Sequence, residues 1–541
     1  VIDLAPEAAE QGGQVVFDFL NMVGLGYLNL NRATRTLSGG ETERVSLASC
    51  LGTRLVNTLF VLDEPSVGLH PRDTEKLIKI LEALRDTQNT VVVVEHEALV
   101  MKAADRIIDL GPLNGSRGGE IIFEGSYREL CKNKASLTGK YLSGEKSFPK
   151  PLLRKNSSSK KAAVLTLRKA SCNNLKNLDV KLPKQHLIAI TGVSGSGKTT
   201  LLRKCLIPAL ARSGKFPDLA DEAKPDSDIE KLPEDMTSKE AEVNITGKIS
   251  GIEKIDDVLF VDQSTLGKTP RSNPAVYSKA FEPIRKLMAA TNDAKSHELS
   301  SSAFSFNSSA GQCEKCSGVG YEKIEMQFLS DVYTKCQDCD GRRYRKHILE
   351  IYLNNGENQW NISDFLNATI DDAIIFLSKL EQTANRDKAI SCLKPLSEIG
   401  LGYLSLGQPI NTLSGGENQR LKLVRKLNEL QISKKSKSRK NKTSDKRKTL
   451  FLFDEPTTGL HFEDIRLLIE LFQKTVSEGH TIVFIEHNLE MIQSADWVID
   501  LGPEAAEQGG QVVFEGTPKE LLQCELSHTG KALRDHFTNM A

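Results

Sequence analysis

Four motifs occur twice in this chain, in the same order, and that duplication limits its possible folds more than any other feature. GLGYLNLNRATRTLSGGE at 24–41 matches GLGYLSLGQPINTLSGGE at 400–417, 376 positions on. DEPSVGLH at 63–70 matches DEPTTGLH at 454–461, 391 positions on. TVVVVEH at 90–96 and ADRIIDLGP at 104–112 return at that same offset of 391, as TIVFIEH at 481–487 and ADWVIDLGP at 495–503. The second copy therefore carries 15 extra residues between its first two motifs. These are 434–448, KKSKSRKNKTSDKRK, with nine Lys or Arg and one acid. A solvated surface loop and a flexible phosphate-backbone contact both fit such a run.

The opening residues are a separate matter. Residues 1–17 match 498–514 at sixteen of seventeen positions, whereas the repeat partner of 498–514, residues 107–123, matches it at eight. We read 1–17 as a junction artefact or a recent rearrangement, with no chemistry of its own. The chain also opens on Val, so a fragment or a processed product is expected.

HLIAITGVSGSGKTTLLRKCLI at 186–207 reads as a strand, a Gly-rich loop and a helix start. Residues 192–199 fit GxxxxGK[ST]. In such a loop Gly192, Ser194, Gly195 and Gly197 let backbone N–H groups approach phosphates. Lys198 reaches the β- and γ-phosphates, and Thr199 and Thr200 stand at the helix start, with Thr199 on magnesium. This pattern occurs once, against two copies of everything else.

Two apolar strands end in acids, LFVLDEP at 59–65 and LFLFDEP at 450–456. Asp63 and Asp454 suit magnesium binding; Glu64 and Glu455 suit positioning or deprotonating an attacking water. Strand-end carboxylates capping a turn are the plainer alternative. His96 and His487 end the next strand of each copy. A structural histidine is common there, but its recurrence in both copies favours a catalytic one.

Apolar-DE preceded by LSGGE and followed by a strand ending in His is the signature of the ATP-binding cassette (ABC) family, and the chain resembles it. That resemblance implies ATP held between the phosphate loop of one nucleotide-binding domain and the LSGGE of the other. Ser38, Gly39 and Gly40, and Ser414, Gly415 and Gly416, would then face a γ-phosphate from a helix N-terminus. His96 and His487 would sense that phosphate, and Gln263 in VLFVDQS matches the family's glutamine loop. One composite site can be complete: the 192–199 loop with Asp454, Glu455, Gln263 and His487, faced by the first LSGGE. The other has Asp63, Glu64, His96 and the second LSGGE, and no phosphate cradle.

Cys313, Cys316, Cys336 and Cys339 form CxxC-x19-CxxC. Four thiolates on two turns suit a closed tetrahedral site, which favours structural zinc. Two disulfides or an iron–sulfur cluster are the alternatives. Gly318 and Gly341 permit tight turns beneath the metal. Arg342, Arg343, Tyr344, Arg345, Lys346 and His347 follow directly, as a DNA-backbone contact or a solvated charge run. The other six of the ten cysteines are scattered, so a secreted disulfide framework is not indicated and a reducing cytoplasm is. Lys+Arg and Asp+Glu both number 71, so any nucleic-acid surface must be local. No run reaches the ~18 apolar residues that would span a membrane.

A zinc module set between a phosphate loop and its LSGGE is not a transporter feature. It resembles the UvrA family, the damage-recognition ABC ATPases of bacterial nucleotide excision repair. The stretches that carry the resemblance include VLDEPSVGLHPRD, NNLKNLDVKLP, TGVSGSGKTTL, VDQSTLGKTPRSNPAVY, FSFN with the cysteine module, EMQFLSDVY and DEPTTGLHFEDI, across most of 18–541. The resemblance implies ATP, Mg2+ and Zn2+ as cofactors and damaged double-stranded DNA read without sequence specificity. It also implies loading of UvrB, homodimerisation, an SOS-regulated repair role and a cytoplasmic location. The family's first phosphate loop, first zinc module and UvrB-docking domain have no counterpart here. A UvrA-like paralogue in DNA binding or drug tolerance, without hand-over to UvrB, is the second reading. A soluble ABC protein acting on ribosomes or a transporter is the third.

The expected fold is α/β: tandem ABC-type ATPase (P-loop) lobes, the first incomplete, with an inserted zinc-binding helical signature domain. The expected divisions are 18–145 for the back half of the first nucleotide-binding domain and 146–163 for a linker. Residues 164–275 begin the second domain, with an acidic, proline-containing insertion at 213–245 expected to be disordered. Residues 276–395 form the inserted module, and 396–541 complete the second domain. An incomplete lobe is expected to expose core edges.

Overall fold

In the computed structural model the described residues are 20, 23–26, 28, 39–52, 55–112, 118–151, 163–216, 219, 246–262, 271–324, 332–425 and 448–540. Residues 1–17, Ser38, Gln263, most of 213–245 and all but the last residue of 434–448 lie outside them. The chain forms two compact units, one of residues 1–112, 120–262 and 445–541, the other of 113–119 and 263–444.

In the first unit, the first motif copy runs helix α1 (Gly39–Gly52), strand β1 (Leu59–Asp63), helix α2 (Pro71–Asp86) and strand β2 (Thr90–Val94). Strands β3 (Ile107–Gly111) and β4 (Glu120–Gly125) follow. α2 starts on a proline, which suits a first-turn position because its missing N–H has no helical partner there. It buries Leu77, Ile80, Leu81 and Leu84, spaced as one helical face, against Val23, Leu25, Leu47 and Val100.

Next come β5 (Val164–Cys172), β6 (Leu175–Pro183), β7 (Leu187–Gly192), β8 (Thr246–Ser250) and β9 (Asp257–Val261). The second copy then supplies β10 (Thr449–Asp454), helix α3 (Phe462–Ser477), β11 (Thr481–Ile485), β12 (Trp497–Gly502), β13 (Gln511–Gly516) and helix α4 (His528–Met540). Six strands make one sheet in the order β13-β12-β7-β11-β10-β9, parallel except for β13. A separate three-stranded antiparallel sheet runs β6-β5-β8.

The two copies keep one register. Leu59 pairs with Thr90 as Leu450 pairs with Thr481, and Ile107 with Gly125 as Val498 with Gly516. Both antiparallel pairs shift register one residue after an aspartate, Asp109 or Asp500. Their surroundings differ. β7 lies between β11 and β12, whereas among the described residues no strand lies between β2 and β3. β10 and β11 are accordingly buried at every position, while β1 and β2 alternate between exposed and half-buried. LFVLD and TVVVV have the composition of strands covered on both faces, yet Leu59, Val61, Val92, Val94, Ile108, Leu110 and Ile121 are exposed.

The second unit is mainly helical, with helices Phe281–Ala289, Ile370–Ser378 and Ala384–Glu398, and small antiparallel hairpins. Trp360 stacks on Phe376 at 4.2 Å, and Phe365 meets both rings edge-on. Among the described residues no helix is long and apolar enough to cross a membrane.

Val61 and Leu452 are repeat equivalents, at 66% and 0% exposure. Truncating the first should cost under ~0.5 kcal/mol and the second about 2–5 kcal/mol, transfer plus cavity. Urea unfolding of Val61→Ala and Leu452→Ala measures that difference; equal costs would contradict the exposed face.

Candidate functional site

The phosphate-loop candidate begins where β7 ends. Gly192 has φ +137°, and a Cβ there would lie 2.0 Å from the carbonyl oxygen of Leu501 on β12, so only glycine fits. Gly195 and Gly197 also have positive φ. Thr199 leads into the helical turns that start at Thr200, whose hydroxyl accepts from Asn173 at 3.4 Å. Within the loop the hydroxyls of Ser194 and Ser196 are buried without a hydrogen-bond partner. Lys198 is buried too, and its Nζ donates to the carbonyl oxygens of Gly192 (3.1 Å) and Val193 (2.9 Å). Burial pulls its pKa down to about 8, against the pull of Glu455, Asp73, Asp500 and Asp454. Two orphaned hydroxyls and an amine resting on backbone carbonyls are unmet demand for acceptors, the chemistry a phosphate chain satisfies.

The strand-end acids gather beside this loop. Asp454, the last residue of β10, is buried and accepts from Arg203 Nε at 3.0 Å; Arg203 also reaches Asp262 at 3.6 Å. Burial raises the pKa of Asp454 and Arg203 opposes it. Its repeat equivalent Asp63 is exposed. Glu64 and Glu455 both sit at φ +48°, a left-handed backbone uncommon outside glycine. Each reaches into the other copy. A Cβ on Gly68 would lie 3.2 Å from Glu455 Oε2, and one on Gly459 3.1 Å from Glu64 Oε2. Glu64 Oε1 stands 3.7 Å from His96 Nε2, and burial raises the pKa of that glutamate. His487 is buried, its Nδ1 has no hydrogen-bond partner, and burial with nearby Lys198, His70 and Arg44 holds it neutral. A cavity of about 270 Å3 runs between the copies, lined by Glu64, Gly68, His96, Glu455, Gly459 and His487 among others.

The two LSGGE motifs are seen less completely. Gly39 and Gly40 open α1. Ser414 belongs to the second unit, where it caps the helix that begins at Gly415 and Gly416. Its N–H donates to Glu417 Oε2 at 2.7 Å and its hydroxyl accepts from the Glu417 N–H at 3.3 Å.

Other residues of this site were not singled out from the sequence. Glu486, buried, accepts from the Thr457 N–H (2.7 Å) and hydroxyl (2.6 Å), the His487 N–H (2.9 Å) and the Asn488 N–H (3.2 Å). Glu95 does the same in the first copy, toward Ser66, His96 and Glu97. These glutamates tie the loop after each catalytic-candidate acid to the loop of each histidine. His70 and His461, which cap α2 and α3, bond to Thr529 and Thr138 of the opposite copy. Recurrence at the 391 offset was the available signal for all of them.

In the second unit the four cysteines converge. Their sulfurs all lie within 4.8 Å of one another and all four residues are buried. Cys313 to Cys336 is 3.9 Å and Cys316 to Cys339 is 3.7 Å. A tetrahedral ion with metal–sulfur bonds of ~2.3 Å sets its sulfurs roughly 3.8 Å apart, so the set fits zinc. These spacings are not disulfides. Gly318 and Gly341 both take positive φ. The basic run beside the cysteines divides. Tyr344 is fully buried and donates to Phe304 O; Arg343 is half-buried, lies over the Phe306 ring and donates to Gly407 O. Arg345 is tied to backbone carbonyls of Gln312 and Ser309, leaving Arg342, Lys346 and His347 exposed.

Set beside known proteins, the chain matches no family model. It is 45% identical over 519 residues to UvrABC system protein A of Streptococcus pyogenes serotype M3, covering 95% of this chain and 50% of that protein. UvrABC system protein A of Aquifex aeolicus is 46% identical over 519 residues, 96% of this chain and 51% of that one. The solved structure of UvrA2 from Deinococcus radiodurans aligns at a TM-score of 0.81 and 38% identity, covering 98% of this chain and 59% of that one. The chain thus spans about half the length of the curated relatives it matches.

Two outcomes test this chemistry. The purified chain should carry one zinc per molecule by elemental analysis, and Cys336→Ser should lose most of it and loosen the cysteine segment to protease. A metal-free, protease-resistant wild type would contradict the assignment. Separately, burial holds His70 at about 3 and His461 at about 4, below the ordinary 6.5; Lys198, His528 and Arg72 reinforce the shift at His70 and Asp73 opposes it. The unfolded chain therefore takes up protons first, and stability falls as pH drops below 6.5 toward those values. Each histidine adds about 1.4 kcal/mol per pH unit to that slope, so His70→Asn should flatten it by about that amount in urea titrations between roughly pH 6 and 4.

Proposed function

Because this chain belongs to the UvrA family over the half of its relatives' length that it spans, we propose that it is an ATP-hydrolysing DNA-damage-recognition subunit of the UvrABC excinuclease. One observation carries the ATPase part. A loop with two orphaned buried hydroxyls and a buried lysine stands beside Asp454, Glu455 and His487 of the same unit.

The residues divide the work as follows. Backbone N–H groups of 192–199 and the Ser194 and Ser196 hydroxyls cradle the phosphates, and Lys198 leaves its two carbonyls for the β- and γ-oxygens. Glu455 orients the attacking water and takes its proton, its left-handed backbone aiming the carboxylate toward Gly68 of the other copy. His487, neutral and with a free Nδ1, offers one hydrogen bond to the γ-phosphate. Magnesium, held through Thr199 and Asp454, would neutralise charge on the phosphate oxygens. Ser38, Gly39 and Gly40 close this site. Asp63, Glu64, His96, Ser414, Gly415 and Gly416 belong to the partner site, whose phosphate loop these 541 residues do not contain. Gln263 serves the complete site. The architecture so read is a pair of ABC-type lobes, the first without its front half, with the cysteine unit inserted in the second.

The same reading makes distorted double-stranded DNA the ligand of the exposed Arg342, Lys346 and His347 beside the cysteine centre. It makes UvrB the protein partner, a homodimer the working form and the cytoplasm the location. The likeness to UvrA2 favours, as a second reading, a paralogue that binds DNA or confers drug tolerance without UvrB.

ATP turnover by the purified chain, with and without ultraviolet-irradiated duplex, tests the proposal. Turnover should respond to damaged DNA and drop by about two orders of magnitude or more in Lys198→Ala. Turnover untouched by Lys198→Ala would sink the assignment of the loop.

A further inference from the structure

A chain of hydrogen bonds crosses from each motif copy to the other, and it is built twice, fully buried in one case and half-buried at His461 and Asp109 in the other. In the first, the Arg72 N–H donates to His70 Nδ1 at 3.2 Å. That nitrogen therefore carries the lone pair, and the ring proton sits on Nε2. Nε2 lies 3.2 Å from Thr529 Oγ1, so the ring donates to it. Thr529 gives its own proton to Asp500 Oδ1 at 3.0 Å. Thr191 Oγ1, 3.3 Å from the same hydroxyl, must then donate as well. Asp500 takes one more bond, from the Ser527 hydroxyl at 2.5 Å. Every member is 2% exposed or less, apart from Arg72, so no water competes for these bonds.

The mirror chain repeats the roles. The Glu463 N–H donates to His461 Nδ1 at 3.2 Å, Nε2 lies 3.0 Å from Thr138 Oγ1, and Thr138 donates to Asp109 Oδ1 at 3.0 Å. The Ser136 hydroxyl donates to Asp109 Oδ2 at 2.5 Å. The members are repeat equivalents, each pair 391 positions apart, so both copies keep one donor order.

The first chain ends next to the phosphate loop. Thr191 directly precedes Gly192, and the carbonyl of Gly192 is one of the two on which Lys198 rests. The His70 ring also meets the His487 ring edge-on, with centroids 5.9 Å apart. A group that drew Lys198 off those carbonyls would disturb the end of β7, and the bonds through Thr191 and Thr529 lead from there to the start of α2.

We propose that His70 is a positioning residue that couples the 192–199 loop of the second copy to the N-terminus of α2 in the first; His461 makes the matching link from α3 to Thr138 and Asp109, which leads to no phosphate loop in these residues. This rests on the phosphate reading of that loop. It adds a direction of communication: occupancy of one copy's loop is felt at the other copy's helix.

Hydrogen–deuterium exchange of the full chain, with and without magnesium-ATP, tests it. In the wild type, nucleotide should change exchange at 192–206 and also at 70–86. Thr529→Val, which removes the hydroxyl and keeps the shape, should retain the change at 192–206 and lose the one at 70–86. His70→Asn keeps an acceptor for the Arg72 N–H, so α2 stays capped, and should show the same selective loss. A wild type that changes at 192–206 alone, or variants that keep the change at 70–86, would overturn the coupling. No change at 192–206 in the wild type would overturn the phosphate reading and this proposal with it.

Discussion

The pairing of β7 between β11 and β12 gathers everything else. Ile188 to Ile190 bond to Val483–Ile485 on one side and to Trp497–Ile499 on the other, so Gly192 leaves the sheet level with the ends of both neighbours. The loop that follows lands beside Glu486 and His487, which leave β11 at the same edge. Parallel strands make this possible, because their carboxyl ends all open on one side and ligand-binding groups collect there. Apolar burial holds the arrangement. Ile188, Ile190, Val483, Ile485, Ile499 and Leu501 belong to one core with the helical segment behind the loop. In the first copy the corresponding apolar strands have no such central neighbour among the described residues, and Leu59, Val61, Val92 and Val94 are exposed. Identical local patterns thus give a buried sheet in one place and an exposed edge in another.

What the copies share is as informative as what separates them. A glutamate at φ +48° in each is a strained backbone, at a cost of order 1–3 kcal/mol. Such strain persists where the surroundings over-determine it. Here the Glu64 and Glu455 N–H groups bond back to Val94 and Ile485, and the loops beyond them are held by Glu95 and Glu486. A carboxylate buried as deeply as Glu486 must be saturated with donors, and its four bonds provide that. The two acids named as catalytic candidates are therefore presented on rigid turns, each aimed at the glycine of the opposite copy.

Much of this was legible beforehand because the informative residues form short, spaced motifs. The cysteine spacing announced a four-sulfur cluster, and the Gly-rich loop announced a strand, a turn and a helix start. Alternation failed where context decided. LFVLD reads as a covered strand whether or not a neighbour is present, so its exposure could not be read from the residues. The run from Arg342 to His347 reads as one basic patch, yet Tyr344 is buried and bonded to Phe304 O, and Arg343 is half-buried and bonded to Gly407 O. His70 and His461 escaped because their partners are remote in sequence; His70 and Thr529 are 459 positions apart. Only the repeat offset connects such residues before a fold is known.

The electrostatics of the loop follow from that geometry. Lys198, His70 and His487 crowd one buried region, and burial pushes each toward its uncharged form. Asp454, Asp500 and Glu486 are pushed by burial the same way, toward neutrality. Acids and bases therefore restrain one another in a site that water scarcely reaches, where an unpaired charge is expensive. A polyanion entering the loop would change that balance at once. It would raise the proton affinity of Lys198 and supply acceptors to Ser194 and Ser196. Those gains are available because the fold holds the Ser194 and Ser196 hydroxyls without partners, so the cost of preorganising them is met by the fold and not by the ligand.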